Sequence, residues 1–390
     1  MKAALVQATF APFHFARLER AIVERRSSYD ALGVEIASTQ SDYYWSRPRS
    51  EGTIRTLFAD RDYWSVSPRA IAKSLSAELD RWGTDVVVLP GWGFKESIAG
   101  LSWAMLRGRA AVLLSDSAPV GGNQIRTLAR RWVISNFDAA FVGGSKHRRF
   151  ILDMGMQSDR VFTGCDVVDN EFFGAAERRA RGPQHRPVLC SVTRMIPVKN
   201  IPAVLQVLAS EAPEWEWIIA GDGPERTEIE RRIQVLGLSG RVHLLGHIRY
   251  EDLPAVYARA DVYLQPSLSD TWGLAVNEAM ASGLPVVVST GAGCSADLVR
   301  DEVNGFVFDP GRPGDLAASL RRAIRSRNRW PSMGAASSDI VADWGLARFA
   351  NGFWQACEVA VEHRRAGRRS PRSQLGHMLP WLAELKWLRA

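Results

Sequence analysis

The stretch from Val262 to Thr290, VYLQPSLSDTWGLAVNEAMASGLPVVVST, constrains the fold more than any other part of the chain. An apolar, β-branched run ends at Pro266, a polar loop carries Asp270 and Gly273, and a helical pattern runs from Leu274 to Ser282. Gly283 and Pro285 stop that helix, since glycine accepts the left-handed backbone of a helix end and proline cannot extend one. The next run, Val286 to Val288, is apolar at every position, as expected for a strand covered on both faces of a parallel sheet. A ligand site is expected at the carboxyl end of the first strand, where open α/β sheets place theirs.

Asp270 lies in the loop and Glu278 sits one to two turns into the helix, with Gly273 between them, where backbone can approach a ligand closely. That arrangement suits a sugar nucleotide. The free N–H groups of a helix start hold phosphate oxygens, and carboxylates on either side accept hydrogen bonds from sugar and ribose hydroxyls. The structural alternative is that Ser269 or Asp270 caps the helix and Glu278 is an ordinary early-helix acid.

Helix and strand patterns alternate through most of the remaining chain. Leu5 and Val6 close an opening strand, AIVERRSSYDALG reads as a helix ending at Gly33, and Val34 to Ala37 is the second strand. His14, in the intervening loop ATFAPFHFAR, is a candidate sugar or acceptor contact, with a structural role as the alternative. Thr39 to Ser67 is irregular around a strand at Thr53 to Phe58. In it Tyr43, Tyr44, Trp45, Arg47 and Arg49 are suited to stack on a sugar ring and grip a phosphate, or form an ordinary surface loop. Asp60 and Asp62 form a D-x-D short enough to arise by chance, ahead of a helix capped at Ser67-Pro68. The strand Asp85 to Leu89 ends in PGWGF and the strand Ala110 to Leu114 ends in SDSAPVGG, which brings Asp116 and Ser117 to the same sheet edge as acceptor contacts or helix caps. Ala139 to Val142 is the next strand, and Ser145 is expected to cap the helix after it.

The alternation stops in FTGCDVVDNEFFGAAERRARGPQHRP, whose polar second half carries Gly182 and Pro183. The expected organisation is a first domain over 1–175, a linker over 176–187, a second domain over 188–345 and C-terminal helices with a basic, amphipathic tail over 346–390. In the second domain PVLCSV is a strand, and a helix starts at Ile201. Arg194 and Lys199 stand on the connecting loop, where two cations either converge on a diphosphate at the helix start or are simply solvated. WEWIIAGDGPE runs from a strand into a turn with Gly221 and Gly223, without the third glycine of a dinucleotide fingerprint. Val242 to Leu245 is a further strand, with His247 and Ile248 at its end, and GFVFDPGRPGDLAASLRRAI supplies a last strand and helix.

SDTWGLAVNEAMASGLPVVVS resembles the signature of the retaining glycosyltransferases of family 4, the glycosyl transferases group 1 type. GGSKHRRFILDMGM and GCDVVDNEFF are similar to the end of the N-terminal domain in its bacterial members. The resemblance implies a GT-B fold: α/β, with two Rossmann-like β/α/β domains facing a central cleft, acceptor on the first and nucleoside-diphosphate sugar on the second. Where the family has two glutamates separated by seven residues, this chain has Asp270 in the sugar-contacting place and Glu278 in the ribose-contacting one. The resemblance puts Gly221, Gly223, His247, Ile248, Trp272, Gly273 and Leu274 on the nucleotide side, and Arg194 and Lys199 on the leaving diphosphate. It implies front-face transfer with retention to a hydroxyl of a glycan, a lipid-linked or a small-molecule acceptor, with no metal and no cofactor.

A chain of 390 residues, 46% hydrophobic and 23% charged, suits two soluble domains. Its four cysteines lie far apart without metal-ligand spacing. The net charge of +7 fits nucleic acid, an anionic membrane face or phosphorylated small molecules. No zinc-finger or RNP-type pattern accompanies it, so nucleic acid is not the expected partner. No apolar run is long enough to cross a bilayer and the start lacks a signal-peptide cleavage pattern, so a cytoplasmic location is expected. Arginines from Arg364 to Arg372 precede an apolar face of Met378, Trp381, Leu382, Leu385 and Leu388. Residues 363–390 therefore either contact the inner face of the cytoplasmic membrane peripherally or dock on the first domain. Two rival functions stand beside the transferase: a nucleotide-sugar hydrolase or epimerase on the same fold, and a non-catalytic basic protein that binds nucleic acid or membrane.

Overall fold

A computed structural model describes residues 1–24, 28–41, 52–117, 124–176 and 185–367. The chain forms two compact units, Met1–Val167 with Leu346–Ala390, and Val168–Gly345. Each is built on its own parallel sheet.

In the first unit the strands are β1 (Lys2–Gln7), β2 (Asp30–Thr39), β3 (Ile54–Asp62), β4 (Val86–Pro90), β5 (Ala110–Ser115), β6 (Ala139–Val142) and β7 (Val161–Thr163), in the order β3-β2-β1-β4-β5-β6-β7. The central strands are apolar and buried because helices cover both faces. The helix Pro68–Trp82 starts as its sequence predicts: Pro68 occupies the first turn, and the Ser67 hydroxyl accepts from the Ala70 N–H at 3.3 Å. The chain returns to this unit in the helix Leu346–Ala366, which packs on β4 to β7 and on the helix Pro12–Val23. Phe349, Phe353 and Cys357 are buried there, and the Trp354 indole N–H donates to the Ala21 carbonyl at 2.9 Å.

The second unit continues with β8 (Val188–Val192), β9 (Glu216–Ala220), β10 (Val242–Gly246), β11 (Val262–Gln265), β12 (Val286–Ser289) and β13 (Gly305–Phe308), in the order β10-β9-β8-β11-β12-β13. Strand order reverses between β8 and β11, so the loops leaving their carboxyl ends run side by side. Leu268 N–H donates to the Val198 carbonyl at 2.8 Å, and the Asn200 side chain to the Pro266 carbonyl at 3.2 Å. Such a reversal is where open α/β sheets bind ligands.

Three local expectations are corrected. Gly33 does not end a helix: the helix stops at Val23, and Gly33 lies inside β2. A Cβ there would meet Leu18, Ile54 and Phe10 at 2.8–2.9 Å, so this glycine serves close packing rather than a cap. Ser145 does not cap its helix; Gly144 is the N-cap, and its N–H donates to Nδ1 of His147 at 3.1 Å. Val168–Ala175, expected in the first domain, belongs to the second unit, where the Asn170 side chain donates to the Val341 carbonyl at 2.8 Å.

Candidate functional site

The site is assembled at the reversal in the second sheet. The loop after β11 delivers Asp270 and then starts the helix Leu274–Ala281 at Gly273, whose φ of 101° is left-handed. A Cβ at Gly273 would meet nothing closer than 3.5 Å, so glycine is required by the backbone angle and not by space. No side chain caps this helix start, so the alternative reading in which Ser269 or Asp270 caps it does not hold.

The Asp270 carboxylate is engaged elsewhere. Lys199 Nζ donates to its Oδ2 at 2.5 Å, Gln265 Nε2 at 2.8 Å and Ser267 Oγ at 3.4 Å. The Tyr263 hydroxyl in turn donates to Gln265 Oε1 at 2.5 Å. Lys199 and Asp270 are each mostly buried, with side chains 14% and 16% exposed, so their attraction is less screened than a surface pair's. Glu278, in the second turn of the helix, is buried, and its Oε2 accepts from the Tyr257 hydroxyl at 2.5 Å. Burial pushes its carboxyl up to about 7, against the hydrogen bond from Tyr257, which pulls it down.

Arg194 is exposed on the loop after β8. Gly221 and Gly223 shape that loop. A Cβ at Gly221, whose φ is 134°, would fall 1.9 Å from the Thr193 carbonyl oxygen, and one at Gly223 2.5 Å from that of Met195. Their bare backbone lets Thr193–Met195 lie against the turn, fixed by Met195 N–H to the Asp222 carbonyl at 2.8 Å and Glu225 N–H to the Met195 carbonyl at 3.1 Å. Trp272 is buried, donates from its indole to Asn277 Oδ1 at 2.8 Å and packs on Trp344, so its side chain serves the loop's fold. Leu274 opens the helix; exposed His247 and half-buried Ile248 follow β10 directly. The structure thus brings Lys199, Asp270, Gly273 and Leu274 together and places Glu278 one turn further on.

The first-unit candidates fare differently. His14 is not in a loop but in the first turn of the helix Pro12–Val23, where Nδ1 accepts from the Ala11 N–H at 3.2 Å. Burial, and then the Arg17 charge, lower its pKa to about 3, so it is neutral near pH 7. Asp116 and Ser117 are half-buried just past β5, and the Ser117 N–H donates to the Ser115 hydroxyl at 3.2 Å. Tyr43, Tyr44, Trp45, Arg47 and Arg49 lie outside the described residues, as does the tail beyond Gly367. Asp62 caps the turn after β3 through the Trp64 N–H at 2.9 Å, consistent with a chance D-x-D. Among the described residues no group of three or more His, Cys, Asp and Glu is arranged to hold a metal ion.

Sequence reasoning missed Gln265, Ser267 and Tyr257. Gln265 carried a usable signal, a polar residue closing an otherwise apolar buried strand. Nothing local marked Tyr257. Also missed was the pair of Arg17 and Asp166, 3.5 Å apart and buried; burial and then the Asp116 charge push the Asp166 carboxyl up to about 7.

Residues 175–337 match the family model described as glycosyl transferases group 1. The sulfoquinovosyl transferase of Arabidopsis thaliana is 31% identical over 191 residues, 46% of this chain and 36% of that protein. The D-inositol 3-phosphate glycosyltransferase of Corynebacterium kroppenstedtii is 28% identical over 281 residues, 65% of this chain and 62% of that one. The matches thus span less than two thirds of either relative. Among solved structures, Anabaena HepE in complex with UDP superposes with a TM-score of 0.70 at 17% identity, covering 91% of this chain and 98% of that one, a likeness of fold. The two Rossmann-like units are of GT-B type, and residues 175–337, less than half of the chain, are similar to the glycosyl transferases group 1 family.

Proposed function

We propose that the protein is a retaining glycosyltransferase that moves a sugar from a nucleoside-diphosphate sugar to a hydroxyl of a glycan or lipid-linked acceptor. The observation that carries this reading is the convergence, on one sheet reversal, of an uncapped helix start, the Lys199–Asp270 pair and the buried carboxyl of Glu278. The uncapped N–H groups and positive end of the helix suit a phosphate, and Arg194 and Lys199 add full charges. Glu278 accepts from ribose hydroxyls and Asp270 from the sugar. As the diphosphate departs, these groups offset the growing negative charge, and each such donor contributes about 3 kcal/mol to a transition state of this kind. HepE, alike in fold, was crystallised with UDP, which supports a nucleotide ligand. The cations make a metal unnecessary to the proposed chemistry. Peripheral membrane contact and a cytoplasmic location remain part of the proposal.

The test is donor consumption from UDP, GDP, ADP and dTDP sugars with and without a panel of sugar and lipid-linked acceptors, with the product's anomeric configuration read by NMR. Consumption only with acceptor, configuration kept and turnover unchanged by EDTA, is the expected result. Consumption in buffer alone would assign hydrolysis or epimerisation instead, and an inverted anomer would overturn retention.

A further inference from the structure

Both carboxylates of the site are held by one oxygen. At Asp270 all three side-chain donors meet Oδ2, and at Glu278 the Tyr257 hydroxyl meets Oε2. Among the described residues none donates to Asp270 Oδ1 or Glu278 Oε1. The clamp on Glu278 is rigid: the Tyr257 ring is fully buried, 5.9 Å from Phe173 edge-on and 6.0 Å from Tyr263. A phenol held this way has few other orientations, so the carboxylate plane it fixes is also fixed.

We infer that Tyr257 is a positioning residue for the donor nucleotide, its hydroxyl clamping Glu278 Oε2 so that Oε1 is aimed as the acceptor for a ribose hydroxyl. The inference rests on the reading of Glu278 as the ribose contact. The clamp also favours the ionised carboxylate, the better acceptor, against the cost of burial.

The surrounding groups leave Glu278 as the one that titrates near neutrality. Tyr257, Tyr263 and Cys190 all feel its charge, and burial keeps each of them protonated well above the neutral range. Arg259 acts on Cys190 and Asp270 on Tyr263. On the elements packed against the Glu278 helix, Asn170–Gly174 carries Glu171 and Trp330–Ala342 carries Asp339; burial and Tyr257 alone shift Glu278.

The experiment follows Glu278 itself by carbon-13 NMR of the glutamate carboxyls, assigned with Glu278→Gln, and UDP affinity by calorimetry from pH 5.5 to 9. Tyr257→Phe is expected to raise the Glu278 midpoint by about one unit, which lowers UDP affinity about fivefold at pH 7 and by less than about twofold at pH 9. Tyr263→Phe, which removes an equally buried hydroxyl bonded to Gln265, is expected to leave the midpoint in place. Should Tyr257→Phe fold poorly, 3-fluorotyrosine placed at position 257 makes a stronger donor and should move the midpoint down. A midpoint that stays put in both Tyr257 variants overturns the clamp. A midpoint that moves while UDP binds at no pH leaves the clamp standing and removes the donor-site reading on which its role rests, so that the positioning claim fails with it.

Discussion

Glu278 shows how far a proposed binding role can oppose stability at a single residue. Its folded pKa of about 7 lies above the ordinary 4.5, so between those values the folded chain keeps a proton that the unfolded chain has released. The sign follows: its contribution to stability is fully present below the unfolded value and is lost as pH rises through 7. The difference amounts to about 3 kcal/mol at most. Glu278→Gln, which keeps an oxygen for the Tyr257 hydroxyl, should therefore melt above wild type at pH 8, with the gap closing toward pH 5; an equal gap at both values would show that burial does not strain this carboxyl. Lys199→Ala should act on function, removing the cation proposed to meet the leaving diphosphate and the principal partner of Asp270. A loss of roughly 10²-fold in kcat is expected, measured with saturating donor and acceptor. At this scale the sequence was only half legible. Asp270 and Glu278 could be read from spacing, whereas their holders could not, because Tyr257 reaches Glu278 across 21 positions and Lys199 reaches Asp270 across 71.

Strands and helix starts were legible wherever the local signal was self-sufficient. Ala139–Val142 and the helix start at Ile201 fall where apolar runs and turn residues place them. The failures share a cause: Gly33 and Ser145 have ordinary terminator and capping identities, but tertiary neighbours decide their roles. The glycines of the site separate the two reasons for having glycine. Gly221→Ala drives a Cβ into the Thr193 carbonyl and should cost about 3 kcal/mol or prevent folding of the second unit, displacing the loop that bears Arg194. Gly273→Ala meets no such obstacle and should cost about 1 kcal/mol of backbone strain. Denaturant unfolding of the two variants distinguishes them; equal losses would contradict this division.

At the scale of the molecule, the chain builds two parallel-sheet units and completes the first with the helix Leu346–Ala366. The buried Phe349, Phe353 and Cys357 make that helix part of the first core rather than an appendage. Truncation after Gly345 should expose the first unit to limited proteolysis while the second unit resists; joint survival of both would contradict this assignment. The alternation of strand and helix was readable over most of the described residues, though the strand Val161–Thr163 was not, and neither was the crossing point, since Val168–Ala175 lies before the polar segment that looks like a boundary. The central claim is that the second unit holds a nucleoside-diphosphate sugar. Its most direct test is a thermal-shift panel of UDP, GDP, ADP and dTDP sugars on wild type beside Glu278→Ala. A rise in Tm with one nucleotide class, lost in the variant, is the expected result; no rise with any class, or the same rise in both proteins, would contradict it.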